Sequence, residues 1–373
     1  MVKHIYAPIV KGKQYDLKAI GRLQAEVRQL IKPLIELPPT PSSKSTDIHL
    51  NEFVKNLTKH AGTGNMFIDF YGFLPEEVTN DGTLATVMGY ELLHKLSLHV
   101  TPVYGLVRDN EVWNHLGAIV KLHKRGFCFR LEEDDLEEDV AEETWEAIFT
   151  RSAQIGIDIG KIDILIDLRD VRLASVDEKI ALITDFMTYK PNNVTFRTVA
   201  IAGSSAPKDV SVIEKDSTGN VLRKELIIWS NLREDLAVGN SLIYSDYGVV
   251  HPDFAADNLP VGGSANCKIR YTAGKNIIIF RGHKRAGDPG QPHQLAEKVR
   301  SHPKYCKPDY SFGDEYINDV ADYTSGPGHL GNWVLADMNH HLTFASMQIA
   351  RLNKKLTDVV TQEEEDTLLD ALV

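Results

Sequence analysis

The 373-residue chain has little of what marks the protein classes most easily recognised. Its three cysteines, Cys128, Cys267 and Cys306, are odd in number and far apart, so a disulfide framework and the paired spacing of a zinc or redox site are both missing. That usage is expected of a reducing, cytoplasmic setting. Positive charge is not in excess: 41 Lys and Arg against 52 Asp and Glu leave a formal net charge of -11, with no pervasive basic surface for a phosphate backbone. Duplex nucleic acid is therefore not expected as a partner. No apolar run approaches the roughly twenty residues of a membrane span, and the N-terminal MVKHIYAPIVKGKQYDL meets charge and a turn too early for a signal peptide. No membrane association is expected. No GxGxxG follows any β-type run, which removes the usual dinucleotide-binding fingerprint.

What is present is enough apolar material, 43% hydrophobic with 25% charged, for one large α/β domain or two ordinary ones. Eight short runs read as strands: HIYAPIV from His4, KPLIEL from Lys32, MFIDFY from Met66, VTPVYGL from Val100, GFCFRL from Gly126, IDILIDL from Ile162, TFRTVAIAG from Thr195 and SLIYSDYG from Ser241. Between them lie stretches with apolar residues every three or four positions, such as DLKAIGRLQAEVRQL, TLATVMGYELLHKL and VDEKIALITDFMTY. Strand, helix, strand repeated at roughly thirty-residue spacing predicts an α/β fold, a (β/α)8 TIM-barrel-like core. The barrel is expected over residues 1–255, with an α+β C-terminal extension over 256–373 packed on it.

The stretch IDILIDLRDV ends an apolar run on Asp167. A carboxylate beside a sheet core is costly unless paired, hydrated or protonated, so such a residue is a structural partner or part of a site. In a (β/α)8 barrel the functional groups project from the C-terminal ends of strands. The residues closing the runs are polar: Lys11, Glu36, Asp69, Arg130, Asp167, Ser204 with Ser205, and Asp246 with Tyr247. Four carboxylates facing two cations across one mouth would hold a divalent ion or push one acid's pKa upward. Alternatively they pair with one another or cap the loops.

Beyond the barrel the chain carries KIRYTAGKNIIIFRGHK, HPKYCKPDYSFGDEYI and NHHLTFASMQIARL. With IYAPIVKGKQYDLKAI and IKPLIELPPTP near the start and DYGVVHP in the middle, these segments resemble the phage- and prophage-associated beta protein family over nearly the whole chain. The resemblance implies a barrel-like fold and mobile-element or antiviral-defence surroundings, and it brings no established reaction. The chain departs from the family pattern at Trp333-Val334, where an aromatic-basic pair usually precedes the histidines, so no role for a basic side chain carries over there.

In YSFGDEYI, Gly313 allows a tight turn that presents Asp314 at the start of a helix, as an N-cap or as a ligand group. Neighbouring His340 and His341 cannot face the same way on a helix or strand; the inward one, with His341 the candidate, is a general acid, general base or metal ligand, or a hydrogen-bonded core histidine. Arg281 closes the run NIIIF and either clamps a phosphate or carboxylate or neutralises a rim aspartate. AGSSAPKDV is a turn or an anion-facing backbone segment. The tract LEEDDLEEDVAEETWEAIF is expected as a solvated helix face, LPPTPSSKS as a loop, and QEEEDTLLDALV as a short amphipathic helix.

Two functional classes follow. In the first, the mouth binds a small anionic, phosphate- or nucleotide-like ligand through Lys11, Arg130, Ser204, Tyr247, Arg281 and Asp314, and Glu36, Asp69, Asp167, Asp246 and His341 hydrolyse it, with a divalent metal as an open option. In the second, the same cavity senses a ligand or binds a phage or defence-system protein without turnover. Carboxylates converging within coordination distance of a shared point, or a bound divalent ion, favour the first; a ring that neutralises itself through local salt bridges, beside a broad exposed apolar patch, favours the second.

Overall fold

The computed structural model describes residues 4–62, 64–106, 108, 110–235, 242–253 and 266–357. β1 (Ile9–Lys11) is followed by α1 (Gln14–Gly21) and α2 (Ala25–Leu30), β2 (Leu34–Glu36) by α3 (Thr46–Asn56), and β3 (Phe67–Asp69) by α4 (Ala85–Lys95). Next come β4 (Thr101–Gly105) with α5 (Asn110–His123), β5 (Phe127–Leu131) with α6 (Ala141–Ile155), and β6 (Ile162–Asp170) with α7 (Val176–Thr188). After β7 (Thr198–Ser204) the chain makes β8 (Thr218–Leu222), α8 (Lys224–Asp235) and β9 (Leu242–Tyr244). Eight of these strands pair in parallel in the order β1-β2-β3-β4-β5-β6-β7-β9. The sheet curls until its ends meet: the Ala7 N–H donates to Tyr244 O at 2.8 Å and the Ile9 N–H to Asp246 O at 2.7 Å. This is the expected (β/α)8 TIM-barrel-like core, and each of the eight runs supplies one strand. Ser241, which opens the eighth run, lies outside the described residues.

The stretch DLKAIGRLQAEVRQL, expected as one helix, is two. Gly21 is the reason. A Cβ there would stand 1.9 Å from the His60 carbonyl, so the chain is pressed against its neighbour at this point and turns before α2 begins. Ser45 and Ser175 cap α3 and α7 by accepting from the amides of Ile48 and Glu178.

Side chains alternate across a strand, and this sets the layers of the barrel. Ile9, Leu34, Phe67, Val103, Cys128, Leu165, Ala200 and Ile243 point inward, one from each strand, and fill the interior. Two residues further along six of the strands stand Lys11, Glu36, Asp69, Arg130, Asp167 and Ala202, facing the same way. The opposite parity, including Ile164, Ile166, Phe127 and Phe129, packs outward under the helices.

The C-terminal part forms a second sheet. β10 (Asn266–Ala273) and β11 (Asn276–Lys284) make an antiparallel hairpin, and β8 joins the free edge of β11. One face of this sheet carries α9 (Gln291–Arg300) and α10 (Phe312–Ala321), packed through Ile269, Tyr271, Phe280, Leu295, Val299 and Ile317. The other face lays Ile277 and Ile279 on Ala206, Val210 and Val249 of the barrel loops. The long α11 (Leu330–Thr357) runs between the two halves, against α1 and α2 on one side and β10 and α10 on the other. The expected boundary at 255/256 and the QEEEDTLLDALV segment both lie outside the described residues. None of the described helices is long and apolar enough to cross a membrane.

Candidate binding site at the barrel mouth

The inward residues one step above the apolar layer meet at a single side chain, Arg130. It is 1% exposed. Its Nη1 lies 2.8 Å from Asp69 and 2.9 Å from Glu36, the second in ion-pair contact without hydrogen-bond alignment. Its Nε and Nη2 donate to Asp167 Oδ2 at 3.0 and 2.6 Å, and Nη2 also reaches the Tyr247 hydroxyl at 2.8 Å. That hydroxyl in turn donates to Asp167 at 2.5 Å. Lys11 closes the circle: its Nζ pairs with Glu36 and donates to the Pro252 carbonyl at 2.7 Å. A guanidinium in a low-dielectric site needs this degree of saturation to stay charged. Burial opposes the ionisation of Asp69, but Arg108 and Arg130 outweigh it and hold that carboxyl below its usual range.

Above the ring lies a more open rim. Arg108 grips Asp69 with both terminal nitrogens, at 2.6 and 3.1 Å. Arg169 has φ of 53°, the left-handed region, at a register break in β6, and its amide donates to Asp167 Oδ1 at 3.0 Å. An arginine is held there only where the surroundings over-determine it, and such strain gathers at functional sites. The ring of Tyr71 collects the guanidinium groups of Arg130, Arg108 and Arg169 at 4.3, 4.8 and 5.0 Å. Burial pushes its phenol up to about 12. A cleft of 730 Å³ opens from Tyr71, Arg108 and Arg130 toward α6, with Glu132, Asp134 and Asp135 on its lip.

The other candidate residues stand apart from this ring, and strand parity explains the nearest of them. Tyr247 points inward, so its neighbour Asp246 points outward. Asp246 accepts from Tyr6 at 2.5 Å, Tyr244 at 2.8 Å and His341 at 2.9 Å, with Arg223 at 3.5 Å. Burial opposes its charge, yet His341, Arg223 and Tyr6 together hold the carboxyl well below its usual range. Burial likewise lowers His341, so the imidazole is assigned as neutral, donating Nε2–H to Asp246 while Nδ1 accepts from Thr272 at 2.7 Å. His340 faces the other way along α11, to Asp314 Oδ2 and the Thr272 carbonyl, each at 2.8 Å.

Asp314 does not cap α10. Ser311 does, accepting from the Asp314 amide at 3.2 Å, and Asp314 sits in the first turn with Tyr271 donating to it at 2.7 Å. Ser204 bonds locally, to the Val250 carbonyl at 3.2 Å, and Ser205 to Glu225 at 2.6 Å. Arg281 donates to the Ile213 carbonyl beside β8, away from the mouth. Among the described residues no group of three His, Cys, Asp or Glu side chains is placed to hold a metal ion. The ring carboxylates are turned onto guanidinium groups instead.

Sequence reasoning missed Tyr71, Arg108 and Arg169, because it stopped at the last residue of each apolar run. Tyr71 and Arg169 stand two residues after the inward Asp69 and Asp167, and Arg108 three after Gly105 at the end of β4, so a search extended into those loops would have found them. Tyr6, Arg223 and Glu225, which complete the Asp246 cluster, carry no comparable sequence signal.

Two solved structures match along most of this chain's length at very low identity. A "putative fructose-1,6-biphosphate aldolase" from Coccidioides immitis is 10% identical with a TM-score of 0.37, covering 94% of this chain and 93% of its own. The carboxyl transferase domain of Rhizobium etli pyruvate carboxylase is 7% identical with a TM-score of 0.36, covering 92% of this chain and 49% of its own. Among curated protein sequences none matches. The sequence model of the Beta protein family, by contrast, matches residues 6–347, a span that takes in the barrel strands, the Arg130 ring, the hairpin and the histidine pair. The chain belongs to the Beta protein family.

Proposed function

We propose that this protein binds a small anionic, phosphate- or nucleotide-like ligand at the mouth of its barrel and acts as a ligand-sensing component rather than a hydrolase. The observation that carries the reading is the rim around Tyr71, where Arg108 and Arg169 stand over an already saturated Arg130. Arg169 Nη1 stands 3.4 Å from the Tyr247 hydroxyl, and the guanidinium pairs with Asp253 at 2.6 Å, a carboxylate 54% exposed. A pair so wet is worth little and yields readily to a ligand phosphate, which offers Arg169 a bidentate partner.

The same geometry favours binding over hydrolysis. Each ring carboxylate that would serve as a base is already committed to Arg130, and His341 is fully buried between Asp246 and Thr272. A protein partner that reads the occupied state, in a phage-related or antiviral-defence setting, belongs to the same proposal; it rests on the family resemblance, and plating efficiency of phage on cells with and without the chain tests it.

The ligand is tested by isothermal titration with pyrophosphate and adenosine monophosphate. Saturable binding that weakens about tenfold in Arg169→Gln, the loss of one charge-assisted contact, is the expected result. Binding that is equal in parent and variant, or none at all, removes the proposal. Release of inorganic phosphate during the titration would restore the hydrolase.

A further inference from the structure

A second cavity lies where the barrel mouth meets the C-terminal sheet, and the rim just described does not use it. Its volume is 260 Å³. The barrel contributes Lys11, Lys13, Asp16 and Val250; the extension contributes residues of β10, α9 and α11. Ile269, Pro292, Leu295, Trp333 and Val334 make an apolar wall. Lys268 and Arg270, two residues apart on one face of β10, and Asp337 on α11 make a charged one.

The charged wall is incomplete. Arg270 has a side chain only 9% exposed, and the carboxylate of Asp337 stands 3.9 Å away. Among the described residues neither Arg270 Nε nor Asp337 Oδ1 has a hydrogen-bond partner. A guanidinium carries five donors, and leaving them unmet in a buried site is costly. Arg130, equally buried, uses all three of its nitrogens. Arg270 is a buried cation whose partner carboxylate stands beyond hydrogen-bond distance, and it lines a space with an apolar side, which is how a site for an amphipathic anion is built.

We propose that this cavity binds a small organic anion, a planar apolar body bearing one carboxylate or phosphate head, with the head on Arg270 and Lys268 and the body against Trp333, Leu295 and Ile269. The size limits the ligand to roughly ten non-hydrogen atoms, scaling from benzene in a dry cavity of about 150 Å³. A nucleoside triphosphate is too large. Electrostatics agree with an anion. Burial pushes Asp337 up to about 7, with Arg270 only partly opposing it, and burial likewise pushes Asp16 up to about 7. Near neutrality both carboxyls therefore spend part of their time uncharged. Burial lowers the cations too, Lys268 to about 8 with Arg270 adding to it, and Arg270 from its high ordinary value, so Arg270 keeps its charge there and Lys268 most of its own.

The test uses the full chain and four probes in isothermal titration: benzoate, phenyl phosphate, benzyl alcohol as an uncharged analogue, and inorganic phosphate as a head without a body. The expected result is saturable binding of benzoate or phenyl phosphate, whichever head fits, and binding about tenfold weaker or more for the other two. Arg270→Gln weakens the bound anion about tenfold through loss of one charge-assisted contact. Leu295→Trp, which fills the apolar side and leaves the charges in place, abolishes it. Thermal melts of both variants show that they are folded. Saturating pyrophosphate does not compete. The proposal is overturned if neither aromatic anion binds the parent, if folded Arg270→Gln binds as well as the parent, or if pyrophosphate displaces the anion and so places it at the mouth.

Discussion

Replacing Asp167 by asparagine is the sharpest probe of the barrel mouth. The carboxylate accepts from Arg130 twice and from the Tyr247 hydroxyl on Oδ2, and from the Arg169 amide on Oδ1. Every neighbour is a donor. An asparagine presents one acceptor and one NH2, so whichever way it turns, a donor faces a donor in a site with no solvent. Breaking a buried ion pair by removing one partner costs about 3–5 kcal/mol. Arg130 would keep Asp69 at 2.8 Å and Glu36 at 2.9 Å, which places Asp167→Asn near the lower end, about 3 kcal/mol.

Arg130→Met belongs at the upper end, about 5 kcal/mol, because it leaves Asp167 with only Tyr247 and the Arg169 amide. Glu36 and Asp69 would still hold Lys11 and Arg108. The double variant is expected to lose less than the sum, with a coupling of about 2 kcal/mol. Urea unfolding followed by far-ultraviolet circular dichroism reads all three midpoints. Single variants each within about 0.5 kcal/mol of the parent, the range of ordinary surface changes, would refute the buried ring.

Other outcomes follow from the same geometry. Burial pushes Asp16, Glu225 and Asp337 up to about 7. A raised carboxyl binds its proton more tightly folded than unfolded, so these groups make stability fall as pH rises from about 4 to about 7 and add no slope above that. The lowered groups Asp69, Asp163 and Asp246 act with the opposite sign, and their contribution is complete above about 4 and lost only on further acidification. Asp337→Asn should therefore flatten the urea midpoint over that window, by up to about 4 kcal/mol across its width; an unchanged slope would show that Asp337 does not titrate there. Gly313→Ala would place a Cβ 2.3 Å from the Ala336 carbonyl and force α10 off α11, costing about 1–3 kcal/mol, whereas Gly160→Ala meets nothing within 4 Å and should stay within about 0.5 kcal/mol. Equal thermal midpoints for the two would contradict the packing of those helices.

The barrel was legible because its signals are local. Each strand is a run such as IDILIDL whose parity places Leu165 in the interior and Ile164 and Ile166 under the helices, and no distant residue is needed to read that alternation. Closing successive runs is what marked Lys11, Glu36, Asp69, Arg130, Asp167 and Asp246 as one ring; Lys11, Glu36 and Asp69 do lie in register, whereas Arg130 pairs with Leu165 and so stands one inward step below Asp167. What the chain could not declare was the partner of each. Whether the carboxylates surround an empty point or a guanidinium depends on how far Arg130 reaches across the mouth, and on the backbone turn that puts Arg169 at positive φ.

Asp246 illustrates the limit. It closes an apolar run of the sequence as Asp167 does, but it lies one residue from Tyr247, and the alternation of the extended chain sends the two to opposite sides. The residues that hold it, Tyr6, Arg223 and His341, come from the first barrel segment, the start of α8 and the last helix. The capture of β8 by the C-terminal hairpin, and the cavity that Arg270 and Asp337 share with Lys11, likewise need elements distant in sequence to be brought together. Periodicity fixes which face a side chain takes because it follows from the covalent chain. Which charge it meets is decided by packing, where a buried ion is tolerated only once a counter-charge from elsewhere in the sequence has arrived.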